Sequence, residues 1–265
     1  MVNDNPLTAQ PPEEVPLKDA PLIRVIAQVR FPPILSIEKK DFVGSFQEAI
    51  REKYPILQPE QTQILVFGPP GGVQPTVQVT WRFIDTAHSW RVSLAPNFMA
   101  LETTAYSSRR DFLERLEHLL IAFDKSFKPQ IIERFGLRYI DRLIGEDLQD
   151  ISSLVKPEMA GLMAAEFREY IHQTVNEYLF VIPNGGEQII ARWGLMPPGA
   201  TFDPDAIEPV AESSWILDLD MSLSKNREFS IEELMSEGRC FAERIYTFFR
   251  WAVKDDFLRR FGGEL

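Results

Sequence analysis

Twice in this chain a run of alternating apolar and polar residues gives way to a long helix that opens on a serine capping box. The first box is Ser108 with Asp111 three residues on, leading into "RRDFLERLEHLLIAFDKSF". The second is Ser230 with Glu233, leading into "IEELMSEGRCFAERIYTFFRWAV". In each, the serine hydroxyl is placed to accept the N–H three residues ahead, and the acid suits the positive end of the helix. Phe112, Leu116, Leu119, Leu120 and Phe123 line one face of the first helix. Leu234, Met235, Phe241, Ile245 and Phe248 fall within a broader stripe on the second. A helix with one apolar stripe must cover it with a sheet or another helix.

The alternating runs supply the sheet. "LIRVIAQVRF", Leu22 to Phe31, puts Val25, Ala27, Val29 and Phe31 on one side and Arg24, Ile26, Gln28 and Arg30 on the other. Pro32 and Pro33 stop it. A helix is expected from Asp41 to Tyr54, ended by Pro55. Four strands follow in "QILVFG", "VQVTWRFI", "WRVSLA" and "FMALETTAY", parted by the turn sequences "GPPGG", "DTAHS" and "PN". After Pro129, "IIERFGLRYIDRL" opens a second round. Phe135, Leu137 and Tyr139 point inward there, and Arg134, Arg138 and Arg142 point the other way. Short helices are expected in "LQDISSLVKPEMAGLM", and one long strand or two shorter ones in "FREYIHQTVNEYLFVIP". A tight "NGG" hairpin then leads to "EQIIARWGLMP". A proline-rich loop over 197–209 precedes a strand in "SSWILDLDMSLS".

The expectation is a duplicated α+β fold of β-α-β(4)-α halves. Its antiparallel sheets carry helices on one side, with pseudo-twofold symmetry, in a helix-grip or TATA-binding-protein-like arrangement. Residues 22–129 make the first half and 130–265 the second. Residues 1–21, with five prolines and no apolar core, are an extended or disordered tail.

Charge narrows the partners. An excess of 39 Asp+Glu over 28 Lys+Arg gives a formal charge of -11, which repels polyphosphate and anionic lipid at long range. Nucleic acid and membrane are therefore disfavoured. One cysteine, Cys240, allows no disulfide within the chain and points to a reducing, cytoplasmic setting. Beside the apolar stripe of the last helix, it reads as a packed thiol.

Candidate chemistry starts with arginine. Arg30, Arg134 and Arg138 sit on the opening strands, and Arg82, Arg91 and Arg192 on hairpin strands. Converging guanidinium groups would bind a carboxylate or phosphate in two-pronged fashion. Paired with local acids such as Glu133, Asp141 and Glu187, they would be a plain solvent face. Arg30, Arg134, Arg138 and Arg192 are the candidate ligand-binding residues. Because the packing face would be untouched, replacing Arg30 and Arg138 should spare folding. Trp81, Trp90, Trp193 and Trp215 fall on strands, and the "WR" and "RW" neighbours put aromatic and cation on opposite faces, against a base-stacking platform.

Other chemistry finds little support. "HQT" at 172–174 is half of a two-histidine phosphodiesterase signature, and "HSW" at 88–90 does not supply the other half. Asp218 and Asp220 share a strand face and would suit Mg²⁺, but no further ligand lies near them in sequence. No zinc spacing, phosphate loop or nucleophile elbow is present. No catalytic residue, metal or cofactor is assigned.

The segments "APLIRVIAQVRFPP", "RFGLRYIDRL" and "FAERIYTFFRW…FGG", with Trp81 and Trp90 in the central hairpin, resemble a sporadically distributed bacterial family of conserved proteins of uncharacterised function. The resemblance spans almost the whole chain and implies no activity. Asp141 stands where that family favours asparagine. The expectation is a non-enzymatic cytoplasmic binding or regulatory protein that recognises a protein partner or an anionic small ligand. A sporadic distribution associates it with mobile or defence systems, and homo-oligomerisation stays open. The alternatives are an enzyme acting on a phosphorylated small molecule and a nucleic-acid-binding module.

Overall fold

The computed structural model describes residues 5–68, 72–183 and 185–265. The protein is α+β. Among the described residues the strands are β1 (Leu22–Arg30), β2 (Ile56–Gly68), β3 (Gly72–Ile84), β4 (Trp90–Ala95), β5 (Phe98–Thr103), β6 (Ile131–Ile144), β7 (Asn176–Val181), β8 (Gln188–Met196) and β9 (Ser214–Glu228). They form one nine-stranded sheet in the order β2-β3-β4-β5-β1-β6-β9-β8-β7. The β2–β3, β3–β4, β4–β5, β7–β8 and β8–β9 pairs are antiparallel.

The helices are α1 (Lys40–Ile50), α2 (Arg109–Phe127), the short α3 (Gly145–Gln149), α4 (Ile151–Leu154) and α5 (Pro157–Ala160), then α6 (Ile231–Ala252) and α7 (Asp255–Arg260). No helix among the described residues is long and apolar enough to cross a membrane. The turns expected at "GPPGG" and "NGG" include Pro69, Pro70, Gly71 and Asn184, which lie outside the described residues.

Chain contacts divide the molecule into two units. The middle unit holds Ile26–Gly136 and Ser224–Glu237, and the terminal unit holds Met1–Val25, Leu137–Leu223 and Gly238–Leu265.

In the middle unit the inward residues of the strands meet the apolar faces of α1 and α2. Phe46 packs edge-on against Phe83 at 5.6 Å, Phe31 against Phe123 at 4.8 Å, and Trp90 stacks on Phe112 at 5.9 Å. Each such fully buried ring contributes roughly 1.5–3 kcal/mol. Helix α2 begins as its sequence dictates, with the Asp111 N–H donating to Ser108 Oγ at 3.1 Å. Asp85 closes the β3–β4 hairpin by accepting the N–H groups of Ser89 and Trp90 at 2.8 and 2.9 Å. His88 takes a left-handed turn conformation there, so its place is structural.

In the terminal unit, β9 is buried on both faces near its start, with Trp215, Leu217, Leu219 and Met221 on one side and Ile216 and Asp218 on the other. The segment expected to hold one long strand or two shorter ones gives only β7. Residues 171–175 carry no strand, because Thr174 replaces the ladder locally. Its N–H donates to the Leu195 carbonyl at 3.0 Å, and its hydroxyl accepts the Leu195 N–H at 2.9 Å. Gly194 permits this approach, since a Cβ there would lie 2.0 Å from the Thr174 carbonyl oxygen.

The proline-rich lead-in begins with a turn, the Ala9 N–H donating to the Asn5 carbonyl at 2.8 Å, and is tied down. Arg244 on α6 donates to the carbonyls of Pro6 and Ala9 at 2.9 and 2.8 Å. The Val15 N–H donates to the Tyr246 hydroxyl at 2.7 Å, and the Asp19 N–H to the Phe261 carbonyl at 3.1 Å. Cys240, read from sequence as a packed thiol, is exposed. It falls off the stripe that carries Phe241, Ile245 and Phe248.

Candidate functional site: an arginine face and an aromatic pocket

The four candidate arginines divide between the units. Arg30 ends β1, exposed, in the middle unit. Arg134, also there, approaches Gln28 Oε1 at 3.5 Å and lies back over Gly136. Arg138 and Arg192 belong to the terminal unit, where one carboxylate joins them.

That carboxylate is Asp218. The ladder of β8 and β9 sets it directly opposite Arg192. Arg138 on β6 grips it with two prongs, Nε to Oδ1 at 2.7 Å and Nη2 to Oδ2 at 2.8 Å. Its remaining Nη1 donates to Asp203 Oδ2 at 2.7 Å. Arg192 Nη1 stands 3.5 Å from Asp218 Oδ2, and its Nε is held by Glu177 on β7. Asp218 is only 1% exposed and Arg138 15%.

Burial pushes the Asp218 carboxyl up, while Arg138 and Arg192 pull it back. The ionised form is the one that fits. A protonated carboxyl would have to donate to a guanidinium, which has no acceptor. Burial also works against the Arg138 charge, but Asp218 and Asp203 outweigh it and raise that group. Asp203 is held below its ordinary value by Arg138, against the opposing effect of partial burial.

The loop after β8 supplies the rest of the counter-charge. Besides Asp203, its Asp205 carbonyl and Glu208 carboxylate both lie 3.4 Å from Arg24, and its Glu208 carbonyl accepts from Arg142. Ile207 and Ala206 of the same loop are buried. In the terminal unit, then, the arginine face meets the chain's own acidic segment, "DPDAIE". Asp218, a candidate Mg²⁺ ligand by sequence, is committed to arginine, and no cluster of three metal-ligating side chains occurs among the described residues. His172, of the "HQT" motif, is exposed and lies on no strand.

The second feature corresponds to no sequence motif. Strand β7 turns Tyr178 and Phe180 to one face, stacked at 5.9 Å, and Tyr178 lies flat on Trp193 of β8 at 5.0 Å with an 11° tilt. Phe248 of α6 meets Phe180 at 5.7 Å and Trp251 edge-on at 5.5 Å. These five rings, with Met159, Glu158 and the segment Asn5–Leu7, line a cavity of about 320 Å³. The Lys156 ammonium sits 4.9 Å over the Trp251 ring.

Part of this pocket was legible in the sequence. In the antiparallel β7–β8 pair, Tyr178 falls opposite Ala191 and so diagonal to Trp193. The choice of Phe248 and Trp251 as the other wall depends on how α6 is docked, which no local pattern encodes. No protein-family model matches this sequence and no curated protein does, so its function is to be read from these residues themselves.

Proposed function

We propose that the protein is a non-enzymatic binding protein that recognises a protein partner, taking an extended segment of that partner along β7. One observation carries this reading. Leu162, Phe167, Tyr170, Val175, Tyr178, Leu179 and Val181 are all large apolar side chains left exposed, and all fall in the stretch that ends in β7. Apolar surface of this kind marks interaction sites.

The strand itself favours a polypeptide as occupant. β7 stands last in the sheet order, with only β8 beside it among the described residues. An outer strand offers backbone donors and acceptors that an extended chain matches. Proteins guard such edges with lysine, proline or a bulge. β7 has none of these, and its single charge, Glu177, is neutralised by Arg192.

The arginine face supports an anionic ligand less well, because Asp218, Asp203 and Glu177 already occupy the guanidinium groups of Arg138 and Arg192. The sheet order also supports a duplicated fold. From the adjacent β1 and β6, strands β5-β4-β3-β2 run one way and β9-β8-β7 the other. A cytoplasmic setting is in keeping with a single cysteine.

Native mass spectrometry of the tagged protein, purified gently from its own host, tests the proposal. The expected result is a stoichiometric protein companion that is lost from a Leu179→Lys, Val181→Lys variant of unchanged melting temperature. A companion that survives the double substitution, or a mass showing only a second copy of this chain, overturns it.

A further inference from the structure

We propose that the aromatic pocket of the terminal unit binds a small organic cation of the quaternary or methylated ammonium class. The walls come from three elements: Tyr178 and Phe180 on β7, Trp193 on β8, and Phe248 and Trp251 on α6. Its volume of about 320 Å³ falls at the small end of ligand sites, which run from about 300 to 1,000 Å³.

Ring faces attract a cation electrostatically, most strongly when water is excluded, and methylated ammonium groups are the ligands such walls suit. Trp251 already shows the preference, holding the Lys156 ammonium at 4.9 Å. A fully packed core would have shut these rings away. Instead Tyr178 remains 49% exposed while it stacks on the buried Trp193, so the aromatic wall opens to solvent at β7.

Charge selects among ligands. Glu158 is the only charged residue lining the pocket, and no basic side chain lines it. Glu158 makes no ion pair among the described residues. An anion would meet that carboxylate and a chain of formal charge -11. A neutral apolar ligand would leave that solvent-exposed carboxylate to water and gain nothing from it. A cation satisfies the rings and the carboxylate together. The remaining wall, Asn5 to Leu7, is fixed by Arg244 through the Pro6 and Ala9 carbonyls.

Calorimetric titration of the full chain with choline chloride tests this, run beside 3,3-dimethylbutan-1-ol, its uncharged carbon isostere, at matched ionic strength. One saturable site for choline is expected, with the isostere at least about tenfold weaker. Glu158→Gln should weaken choline several-fold and leave the isostere unchanged. Tyr178→Leu should abolish binding without lowering the melting temperature appreciably, since that ring is half exposed.

Equal affinity for choline and its isostere would show an apolar pocket and overturn the proposal. So would tighter choline binding by Glu158→Gln, or no heat and no change in tryptophan emission up to tens of millimolar choline, roughly where one desolvated cation–π contact alone would act.

Discussion

Arg138 and Asp218, eighty positions apart in sequence, meet in a two-pronged ion pair from which water is almost excluded. Removing one partner of such a pair strands the other charge, at a typical cost of about 3–5 kcal/mol. Arg138→Ala is therefore expected to destabilise the protein on that scale, while Arg30→Ala, at an exposed strand end, leaves stability almost unchanged. An Arg138→Met, Asp218→Leu double variant should recover most of the loss, because it leaves no buried charge unpaired. Urea denaturation of the three variants measures this, and an Arg138→Ala midpoint equal to wild type would refute it.

Asp141 gives stability a pH dependence of unusual sign. Burial raises its carboxyl from an ordinary 3.8 to about 7. Between those values the folded chain keeps a proton that the unfolded chain has lost. The contribution is complete below pH 3.8 and declines as pH rises through 7, at up to about 1.4 kcal/mol per unit. Asp141→Asn removes that decline, so the variant should gain on wild type between pH 5 and pH 8. Parallel denaturation midpoints at the two pH values would show that the carboxyl ionises freely.

Two glycines should respond in opposite directions to alanine. At Gly194 the new methyl meets the Thr174 carbonyl oxygen at 2.0 Å and its carbon at 2.7 Å, both backbone atoms that cannot swing aside. A loss of about 1–3 kcal/mol is expected from this overpacking. Gly44 lies within α1 with nothing inside 4 Å, so alanine there should stabilise by roughly 0.5–1 kcal/mol through helix propensity. Paired denaturation curves settle both signs.

Arg244 is expected to act as a tether for the lead-in segment. Replacing it with methionine frees the Pro6 and Ala9 carbonyls while keeping an apolar stem on α6. Limited proteolysis should then cut within residues 5–12 at least several-fold faster, with the melting temperature almost unchanged. An unaltered cleavage rate would show that Tyr246 and the other contacts hold the segment by themselves.

Much of the fold was written locally. The Ser108 and Ser230 caps, the alternation of β1, and the stripe of α6 each follow from residues a few positions apart, and each appears as read. The arginine partners were not local. Arg138 reaches across 65 positions to Asp203 and 80 to Asp218, and no spacing rule links those residues. Alternation alone argues against Asp141 as its neighbour, because three residues along a strand is the opposite face. Thr174 shows a different limit. The residues before β7 look like more strand until a hydroxyl takes a backbone partner's place, and that substitution depends on a glycine across the hairpin.

Cys240 gives experimenters an unplanned handle. One thiol in 265 residues, exposed on α6, lets the native chain accept a fluorophore or spin label at one known position with no engineered cysteine. Since α6 also carries Phe248 and Trp251, a probe at Cys240 rides on the helix that walls the aromatic pocket, and its signal reports on that helix while ligands are titrated.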